Sequence, residues 1–397
     1  MSLKNNYSHT LRACYIAYIT QAISVNFAPL LFVTFRNTYS ITLTQLSVLI
    51  AFTFILQMIV DFTSTNFVDK IGYRVCAVAA HILAAAGFIM LGCLPDMFSD
   101  PFYGIMTACF FYSLGSGLIE VLVSPIVESC PTEHKASAMG LLHSFYCWGT
   151  ALVILVSTVF FNIFGISSWR ILSMLWAILP LVNAVFFTQV PISHSEDAAG
   201  DGLAALFKHK IIWVFIIMMI TGGAAEVAMS QWASAFAESG LKVSKTVGDL
   251  MGPFMFAILM GTGRVIYSRL VKRFDLIKYM SVCAVFCIIS YLLASLSQSP
   301  VIALIGCAAT GFCVGVFWPG SFSYAASKIP SGGTAMFGIL AFAGDVGCTV
   351  GPGLVGTVSG YFGDNLKLGL LSAVIYPIIL LIVVTLIVIK KGKKDRN

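Results

Sequence analysis

The sequence predicts an all-α membrane protein with twelve transmembrane helices, arranged as two six-helix parallel repeats with both termini in the cytoplasm. Its 397 residues are 58% hydrophobic and only 10% charged, with a mean hydropathy of +0.93, whereas soluble domains carry roughly 25% charged residues. The chain also contains a series of apolar segments that reach the ~20 residues needed to cross a bilayer. The segments lie near 11–34, 43–67, 75–94, 102–127, 136–162, 170–189, 211–237, 247–271, 278–297, 300–326, 333–359 and 367–389.

The longest connection divides these segments into two halves of six. It spans residues 191–210 and contains Pro191, Glu196 and Asp197, which is typical of a polar linker. We therefore predict an N-terminal bundle at 1–190, a cytoplasmic linker at 191–210, and a C-terminal bundle with a basic tail at 211–397.

The orientation follows from the distribution of basic residues, because cytoplasmic loops of membrane proteins are enriched in Lys and Arg. With the N-terminus inside, the cytoplasmic side receives most of the 23 Lys and Arg residues. The outside then receives Arg36, Arg170, Lys242, Lys245 and Lys367. The first segment has no small-residue cleavage site after it, so we expect a retained helix and not a signal peptide.

The two halves share short patterns in the same order. Gly117 and Pro125 in the fourth segment have the same spacing as Gly311 and Pro319 in the tenth. A Ser-Ala-Met triplet opens the fifth segment and a Thr-Ala-Met triplet the eleventh, and a Phe-Gly pair ends both, at a nearly constant offset. Six plus six helices with both termini inside imply parallel repeats about an axis along the membrane normal.

The loop after the second segment carries a motif that runs from Asp69 to Arg74. It resembles the signature Gly-x-x-x-Asp-Arg-x-Gly-Arg-Arg of the major facilitator superfamily, with Thr65 in place of the first Gly and Lys70 in place of the first Arg. The resemblance implies the major facilitator fold. It also implies that Asp69, Gly72 and Arg74 belong to a cytoplasmic gate.

Four acidic residues lie inside the predicted spans, away from the span ends: Asp61, Glu120, Glu226 and Asp345. A charge at the bilayer centre costs roughly 3 kcal/mol or more, so these carboxyls must be solvated, protonated or paired. No Lys or Arg is expected at comparable depth, and Arg264 is the nearest candidate. The shortage of basic partners favours carboxyls that bind a proton or a cation, and we predict Glu120, Glu226 and Asp61 as the coupling residues.

The residues around Glu120 resemble one branch of the superfamily in particular. Pro125 follows it by five residues, and the fifth segment begins with LLHSFYCWG at 141–149, which together resemble the fucose–proton symporter branch of the superfamily. The resemblance implies that Glu120 couples proton entry to transport. Ser124 stands where that branch has Asn, and Asn26 stands where it has a second acid, so the coupling ion stays open.

The position of Asp61 on the second segment resembles a cation-site aspartate of sodium–melibiose-type symporters. We therefore expect a coupling ion that is H⁺ or, alternatively, Na⁺, and no cofactor. All cysteines except Cys130 lie in apolar segments, and none has a CxxC spacing. The cysteine pattern predicts neither a disulfide framework nor a metal site.

The seventh segment contains the best candidate for a solute site in the second half. Gly222 and Gly223 are expected to loosen the helix at mid-membrane, as in the interrupted helices of many transporters. Aromatic faces can cover the C–H surface of a sugar while carboxamide and carboxylate groups bind its hydroxyls. The predicted substrate-binding residues are Asn26, Gln21, His143, Trp148, Glu226, Gln231, Trp232, Trp318 and Asp345.

Two further features of the membrane segments have mainly packing interpretations. His143 fits a hydrogen-bonded packing residue or a proton relay, and His81 is expected to be packing only. Residues 347–356 form a stretch of small residues on the eleventh segment, which predicts close contact with another helix.

Together these patterns predict a secondary transporter that imports a small polyhydroxylated solute, a sugar or a sugar derivative, with protons by alternating access. The alternatives are a sodium-coupled sugar symporter, a proton-driven exporter of amphipathic compounds, and a sensor that binds sugar without moving it. The sequence shows no nucleophile–base arrangement or phosphate-binding loop, so we do not predict an enzyme. We expect a monomer in the plasma or inner membrane whose partners are its solute and the lipid bilayer, with no nucleic acid.

Overall fold

Polar residues in the loops set the ends of the apolar helices. The structure, a computed structural model, describes residues 6–131, 135–192, 206–270, 275–329 and 333–394; within these ranges it leaves out the side chains of 65–67, 69, 128, 135–140, 143, 268–270, 333–335 and 391–394. Asn6 caps the first helix by accepting from the Ser8 amide at 2.9 Å. The first helix therefore begins at Tyr7, before the expected residue 11, because the cap satisfies its terminal N–H groups.

The chain folds as two compact units, Met1–Gln45 with Phe52–Glu196 and Leu46–Ala51 with Asp197–Asn397. Helices α1–α6 supply the first unit, apart from the few residues of α2 that belong to the second. The helices are α1 (Tyr7–Asn26, continued by Ala28–Leu31 and Phe32–Tyr39), α2 (Leu43–Ile71), α3 (Tyr73–Cys93), α4 (Pro101–Ser129), α5 (Lys135–Phe164) and α6 (Trp169–Trp176 and Ile178–Gln189). The predicted domain boundaries stay a prediction, since residues 193–205 lie outside the described part of the chain.

Helices α7–α12 supply the second unit, and several of them are interrupted. They are α7 (Lys210–Ala235), α8 (Lys245–Asp249, Leu250–Phe254 and Met255–Leu270), α9 (Leu276–Leu296), α10 (Pro300–Val314 and Phe317–Lys328), α11 (Gly333–Tyr361) and α12 (Leu366–Ser372 and Ile375–Lys394). Wide π-helical turns occur at Phe236–Gly240 after α7 and at Leu250–Phe254 within α8.

Twelve helical segments of the described chain are long and apolar enough to cross a membrane, so the predicted all-α fold with twelve spans is confirmed. Many large apolar side chains are exposed on their surfaces, including Ile59, Val182 and Phe286. Exposure on this scale would cause aggregation in water and fits a surface covered by lipid.

A buried polar network crosses the first unit at His81, which has no exposed surface. Asn183 Nδ2 donates to His81 Nε2 at 2.8 Å and to the Ala13 carbonyl at 3.0 Å, while His81 Nδ1 lies 2.7 Å from the Ala77 carbonyl. Because Nε2 accepts a hydrogen bond, the ring hydrogen belongs on Nδ1, which donates to Ala77. The network joins α1, α3 and α6, and His81 has the packing role expected for it.

The small residues of α11 allow close contact with α7, as the sequence predicts. A Cβ atom on Gly347 would clash with the carbonyl oxygen of Ile220, and one on Gly351 would lie 2.5 Å from the Ala224 oxygen. The glycines therefore let two backbones meet directly, which is how helices associate tightly where lipid gives no hydrophobic driving force.

Gly222 and Gly223 do not loosen α7, contrary to expectation, because the helix is continuous from Lys210 to Ala235. Both glycines instead make room for neighbouring helices. A Cβ on Gly223 would lie 2.5 Å from the Gly344 oxygen, and one on Gly222 would lie 3.1 Å from the Phe317 Cβ. Neighbouring backbone and side chains fill the space that a local unwinding would need.

The close contact between α7 and α11 can be tested with two alanine substitutions on one helix. We expect Gly347→Ala to lower the unfolding temperature, since the new methyl group meets the Ile220 backbone and overpacking costs roughly 1–3 kcal/mol. Gly353→Ala is the control, because its Cβ would meet nothing within 4 Å. Thermal unfolding of both purified variants in detergent checks this, and equal unfolding temperatures would contradict it.

Candidate functional site

Glu120 lies on α4 and is bound directly by a residue of α1. The Gln21 Nε2 atom donates a hydrogen bond to Glu120 Oε2 at 2.8 Å. Gln21 is buried and Glu120 is half-buried, so the bond forms away from bulk solvent. The structure therefore brings together two of the residues that the sequence predicts for coupling and solute binding.

A second contact between α1 and α4 keeps the two helices in register. The hydroxyl groups of Tyr18 and Ser124 lie 3.4 Å apart. Tyr18 precedes Gln21 by one helical turn, and Ser124 follows Glu120 by one turn, so one face of α1 lies along one face of α4. Apolar neighbours of Glu120, including Ile119 and Val123, belong to the core of this unit and hold α4 in place.

Helix α2 approaches Glu120 at a glycine. A Cβ on Gly117 would lie 3.3 Å from the Gln57 Cα and 3.2 Å from the Val60 Cβ, so the helices nearly touch one turn before Glu120. Asp61, the next residue after Val60, interacts electrostatically with Glu120. Two predicted coupling carboxyls are thus neighbours within the first unit.

Gln57 is a polar residue of this cluster that the sequence analysis missed. It precedes Asp61 by four positions, which places both on one face of α2. Gln57 is only 4% exposed, and its Oε1 atom has no hydrogen-bond partner among the described residues. A buried amide oxygen normally finds a partner, so Gln57 is suited to bind something that enters the protein. The sequence signal that could have identified Gln57 is its position one helical turn before Asp61.

Asn26 is held by its own unit in this conformation. Its Nδ2 atom donates to the Ala22 carbonyl at 2.9 Å and to Thr150 Oγ1 at 3.2 Å. Gly149 makes this possible, because its Cβ would lie 3.1 Å from the Ala22 Cβ and α5 therefore runs close to α1. The solute-binding role of Asn26 stays a prediction, and the His143 side chain lies outside the described residues.

The three candidate tryptophans have different surroundings. Trp232 has no exposed surface, and its indole Nε1 donates to the Pro352 carbonyl at 3.0 Å. Trp318 is half-buried against α11, where a Cβ on Gly344 would overlap its ring, and Trp148 in the first unit is 46% exposed. Trp232 therefore packs α7 against α11 in this conformation, while Trp148 and Trp318 keep accessible surface.

Glu226 on α7 has a basic neighbour that the sequence analysis did not expect at its depth. The Arg264 guanidinium on α8 lies 3.8 Å from Glu226 Oε1. The long aliphatic stem of an arginine lets its guanidinium reach a group on a neighbouring helix. The position of Arg264 in its segment therefore did not reveal that its guanidinium reaches Glu226. Glu226 is 9% exposed, and its Oε2 atom has no hydrogen-bond partner within the described chain.

Gln231 and Asp345 complete the predicted residues of the second unit. Both are buried, at 3% exposure each. Thr349 Oγ1 donates to the Asp345 backbone carbonyl at 3.0 Å, a bond within α11. Their predicted roles in solute binding stay predictions.

A second acidic cluster, at the joint between α7 and α8, was also missed. Asp249 is 1% exposed, accepts a hydrogen bond from Ser234 and forms an ion pair with Lys245 at 3.1 Å. Glu238 lies 3.8 Å from the same lysine. Asp249 stands at the start of its predicted span, so hydropathy placed it at the membrane surface although tertiary packing buries it.

The predicted gate residues lie at one end of the first unit. Gly72 joins α2 to α3 with φ +95°, a left-handed conformation that favours glycine. Arg74 donates to the Phe187 and Val190 carbonyls at 2.8 Å each, which caps the last turn of α6. The Asp69 side chain lies outside the described residues, and the gating role stays a prediction.

The family comparison supports the fold. The model of the Major Facilitator Superfamily matches residues 14–352 and 244–396. No curated protein matches the chain in sequence.

Three solved structures with similar folds are described as transporters, each at low sequence identity to this chain. A bacterial homolog of the human lysosomal transporter Spinster, in an inward-facing and occupied conformation, has a TM-score of 0.77 at 13% identity and covers 96% of this chain and 97% of its own. The nucleoside transporter NupG has a TM-score of 0.76 at 13% identity, with 95% and 99% coverage. A D-xylose–proton symporter has a TM-score of 0.75 at 15% identity, with 95% of each chain covered.

The capping role of Arg74 predicts a local effect on α6. We expect Arg74→Met to speed amide exchange near Phe187 and Val190 at least about tenfold, because each lost bond from a charged donor costs roughly 1.5–3 kcal/mol. Lys70→Met is the control, since it removes an exposed positive charge nearby. Hydrogen–deuterium exchange read by mass spectrometry checks this. Equal exchange in both variants would show that the two bonds do not hold the helix end.

Proposed function

The chain belongs to the Major Facilitator Superfamily and is a membrane transporter, not an enzyme, and on that premise we propose that it imports a small polyhydroxylated solute with protons. In this proposal the two six-helix units alternate access to the solute from either side of the membrane. Both termini face the cytoplasm, where the basic residues concentrate.

The observation that carries the proposal is the Glu120 carboxyl on α4, bound by Gln21 and next to Asp61. A buried carboxylate is costly, and protonation removes its charge. The Gln21 amide satisfies one carboxyl oxygen and leaves the other available for a proton. Glu120 can therefore keep a hydrogen bond in both its protonated and its ionised form, and it contacts a predicted solute-binding residue. These are the properties required of a proton-coupling group.

The chemistry of the candidate side chains in each unit supports a hydroxylated solute. The amides of Gln21 and Gln231 can bind hydroxyl groups, and Trp318 offers a partly accessible aromatic face for C–H surface. Two of the similar structures are described as a nucleoside transporter and a D-xylose–proton symporter. The sequence resemblance around Glu120 to the fucose–proton symporter branch points to the same class of solute.

Replacing Glu120 by Gln tests the coupling role, because it removes the exchangeable proton and keeps the shape and the Gln21 bond. In proteoliposomes we expect the variant to exchange labelled solute across the membrane without a gradient, while uphill uptake driven by a pH gradient disappears. Asp100→Asn is the control, since Asp100 is an exposed helix cap whose role Asn can fill. Full uphill uptake by the Glu120 variant would rule out this residue as the coupling site.

Sodium coupling is a second candidate, favoured by the oxygen atoms near Glu120. Asp61, Glu120 and Gln57 supply carboxylate and amide oxygens, which are the ligand types of hard cations. Gln57 Oε1 is buried and has no hydrogen-bond partner among the described residues, so this oxygen is suited to bind a cation.

The two candidates differ in which gradient drives uptake. If sodium is the coupling ion, an inward Na⁺ gradient without a pH gradient drives accumulation, and a K⁺ gradient of equal size does not. Gln57→Leu then raises the Na⁺ concentration for half-maximal uptake several-fold. Accumulation that follows the pH gradient alone, and is unchanged in the Gln57 variant, would refute sodium coupling.

A further inference from the structure

Glu226 is buried, and its contact with the partly exposed Arg264 is long. The nearest distance between them is 3.8 Å, from Arg264 Nη2 to Glu226 Oε1, which exceeds the 2.7–3.2 Å range of a good hydrogen bond. Glu226 Oε2 is buried and has no hydrogen-bond partner within the described part of the unit. The contact between the two side chains therefore lacks the close, bidentate geometry of a strong arginine–carboxylate pair.

Arg264 keeps part of its side chain accessible. Its side chain is 22% exposed, and its Nη2 atom lies 3.9 Å from the Met260 sulfur, a weak acceptor. Close packing of α8 on α10, where Gly263 lies directly on the Phe312 backbone, fixes the position of the arginine stem. The backbone at Arg264 is therefore held in place, and the contact of its guanidinium with Glu226 is long enough to be exchanged for a closer one.

We propose that Arg264 binds the carboxylate of an acidic solute, of the sugar-acid class, which displaces Glu226 from the guanidinium. The planar guanidinium binds a carboxylate through two parallel N–H···O bonds, a geometry that the present 3.8 Å contact with Glu226 lacks. This inference rests on the proposed transport function and narrows its solute to an anionic hydroxylated compound.

Charge balance dictates what Glu226 does when it is displaced. Before binding, Arg264 and Glu226 together carry no net charge. After binding, the solute carboxylate neutralises Arg264, and Glu226 becomes neutral by accepting one proton from water through its carboxylate oxygen. No covalent bond to carbon changes, and the charges of Arg264, Glu226 and the solute carboxylate sum to zero in both states, which avoids an uncompensated charge within this set. One proton therefore enters with each anion.

Other titratable groups also approach Glu226 from the helices packed on α7. Tyr291 on α9 donates its hydroxyl to the Ala225 carbonyl at 2.6 Å, so it is already engaged with the backbone beside Glu226. Asp345 on α11 is buried and follows Gly344, whose carbonyl oxygen would lie 2.5 Å from a Cβ on Gly223 of α7. Arg264 is the group that forms an ion pair with Glu226, so the exchange is assigned to it.

Opposite effects of two substitutions test the proposal. We expect D-glucuronate, but not D-glucose, to raise the unfolding temperature of the full-length protein in detergent. Arg264→Gln should weaken this binding at least about tenfold, since it removes a bond to a charged group. Glu226→Gln should strengthen it several-fold, since it removes the competing carboxylate. A merely structural ion pair predicts weaker binding in both variants.

Proton uptake provides an independent readout. In weakly buffered solution near neutral pH, adding D-glucuronate to the wild-type protein should consume about one proton per bound anion, and none with Glu226→Gln. The double variant E226Q/R264Q removes both charges and should fold without binding the anion, which separates loss of binding from loss of folding. Lys278→Gln, an exposed residue of the same unit, is the control for loss of one charge.

Three outcomes would overturn the proposal: no stabilisation of the wild type or Glu226→Gln by D-glucuronate, equal stabilisation by D-glucose, or weaker anion binding in Glu226→Gln. Uphill uptake of a neutral sugar that depends on Glu120 would then leave the proposed function standing while this inference fails. Binding of D-glucuronate with the expected signs, but without uptake into proteoliposomes, would leave the anion site standing and remove the transport function.

Discussion

The cost of placing ionisable groups among apolar helices governs this structure. A membrane interior offers no water to a carboxylate, so each buried acid needs a donor, a counter-ion or a proton. Glu120 accepts from the Gln21 amide, Glu226 faces the Arg264 guanidinium, and Asp249 is bound by Ser234 and Lys245. The three acids differ in how closely their partners bind the carboxyl group. Asp249 accepts from Ser234 and lies 3.1 Å from Lys245, whereas Glu226 lies 3.8 Å from Arg264 and Glu120 accepts the Gln21 bond on one of its two oxygens.

Close backbone contact is what brings these groups within reach of one another. Gly117 lets α2 approach α4 beside Asp61 and Glu120, and Gly149 lets α5 approach α1 beside Asn26. In the second unit the glycines of α11 lie directly on the α7 backbone. A methyl group at several of these positions would separate the helices, and with them the polar side chains. The small residues of this chain therefore help to position the candidate site, although they offer no functional group of their own.

The two units solve the same problem with different chemistry. In the first unit the acids have amide neighbours, Gln21 and Gln57, and the cluster can hold a proton or a hard cation. In the second unit the acid has an arginine neighbour, and the pair can exchange an internal carboxylate for an external one. An amide donates a hydrogen bond to a carboxylate but does not compensate its charge, whereas a guanidinium carries a compensating positive charge. Protonation of the acid therefore removes an uncompensated negative charge in the first unit, but removes the counter-charge of an arginine in the second.

Hydropathy and charge bias are local properties of the chain, and they determined the twelve spans, the division into six and six helices, and the acids that lie inside the membrane. The superfamily was recognisable from a loop motif for the same reason. Only tertiary structure decided the partners, because Gln21 and Glu120 are far apart in sequence, as are Arg264 and Glu226, and nothing local to either residue encodes the other. It also decided that Trp232 is enclosed by α11, that Gly222 and Gly223 pack without unwinding α7, and that Asp249 is buried. Burial and bonding are set by which helix faces meet, and that depends on every contact in a unit at once.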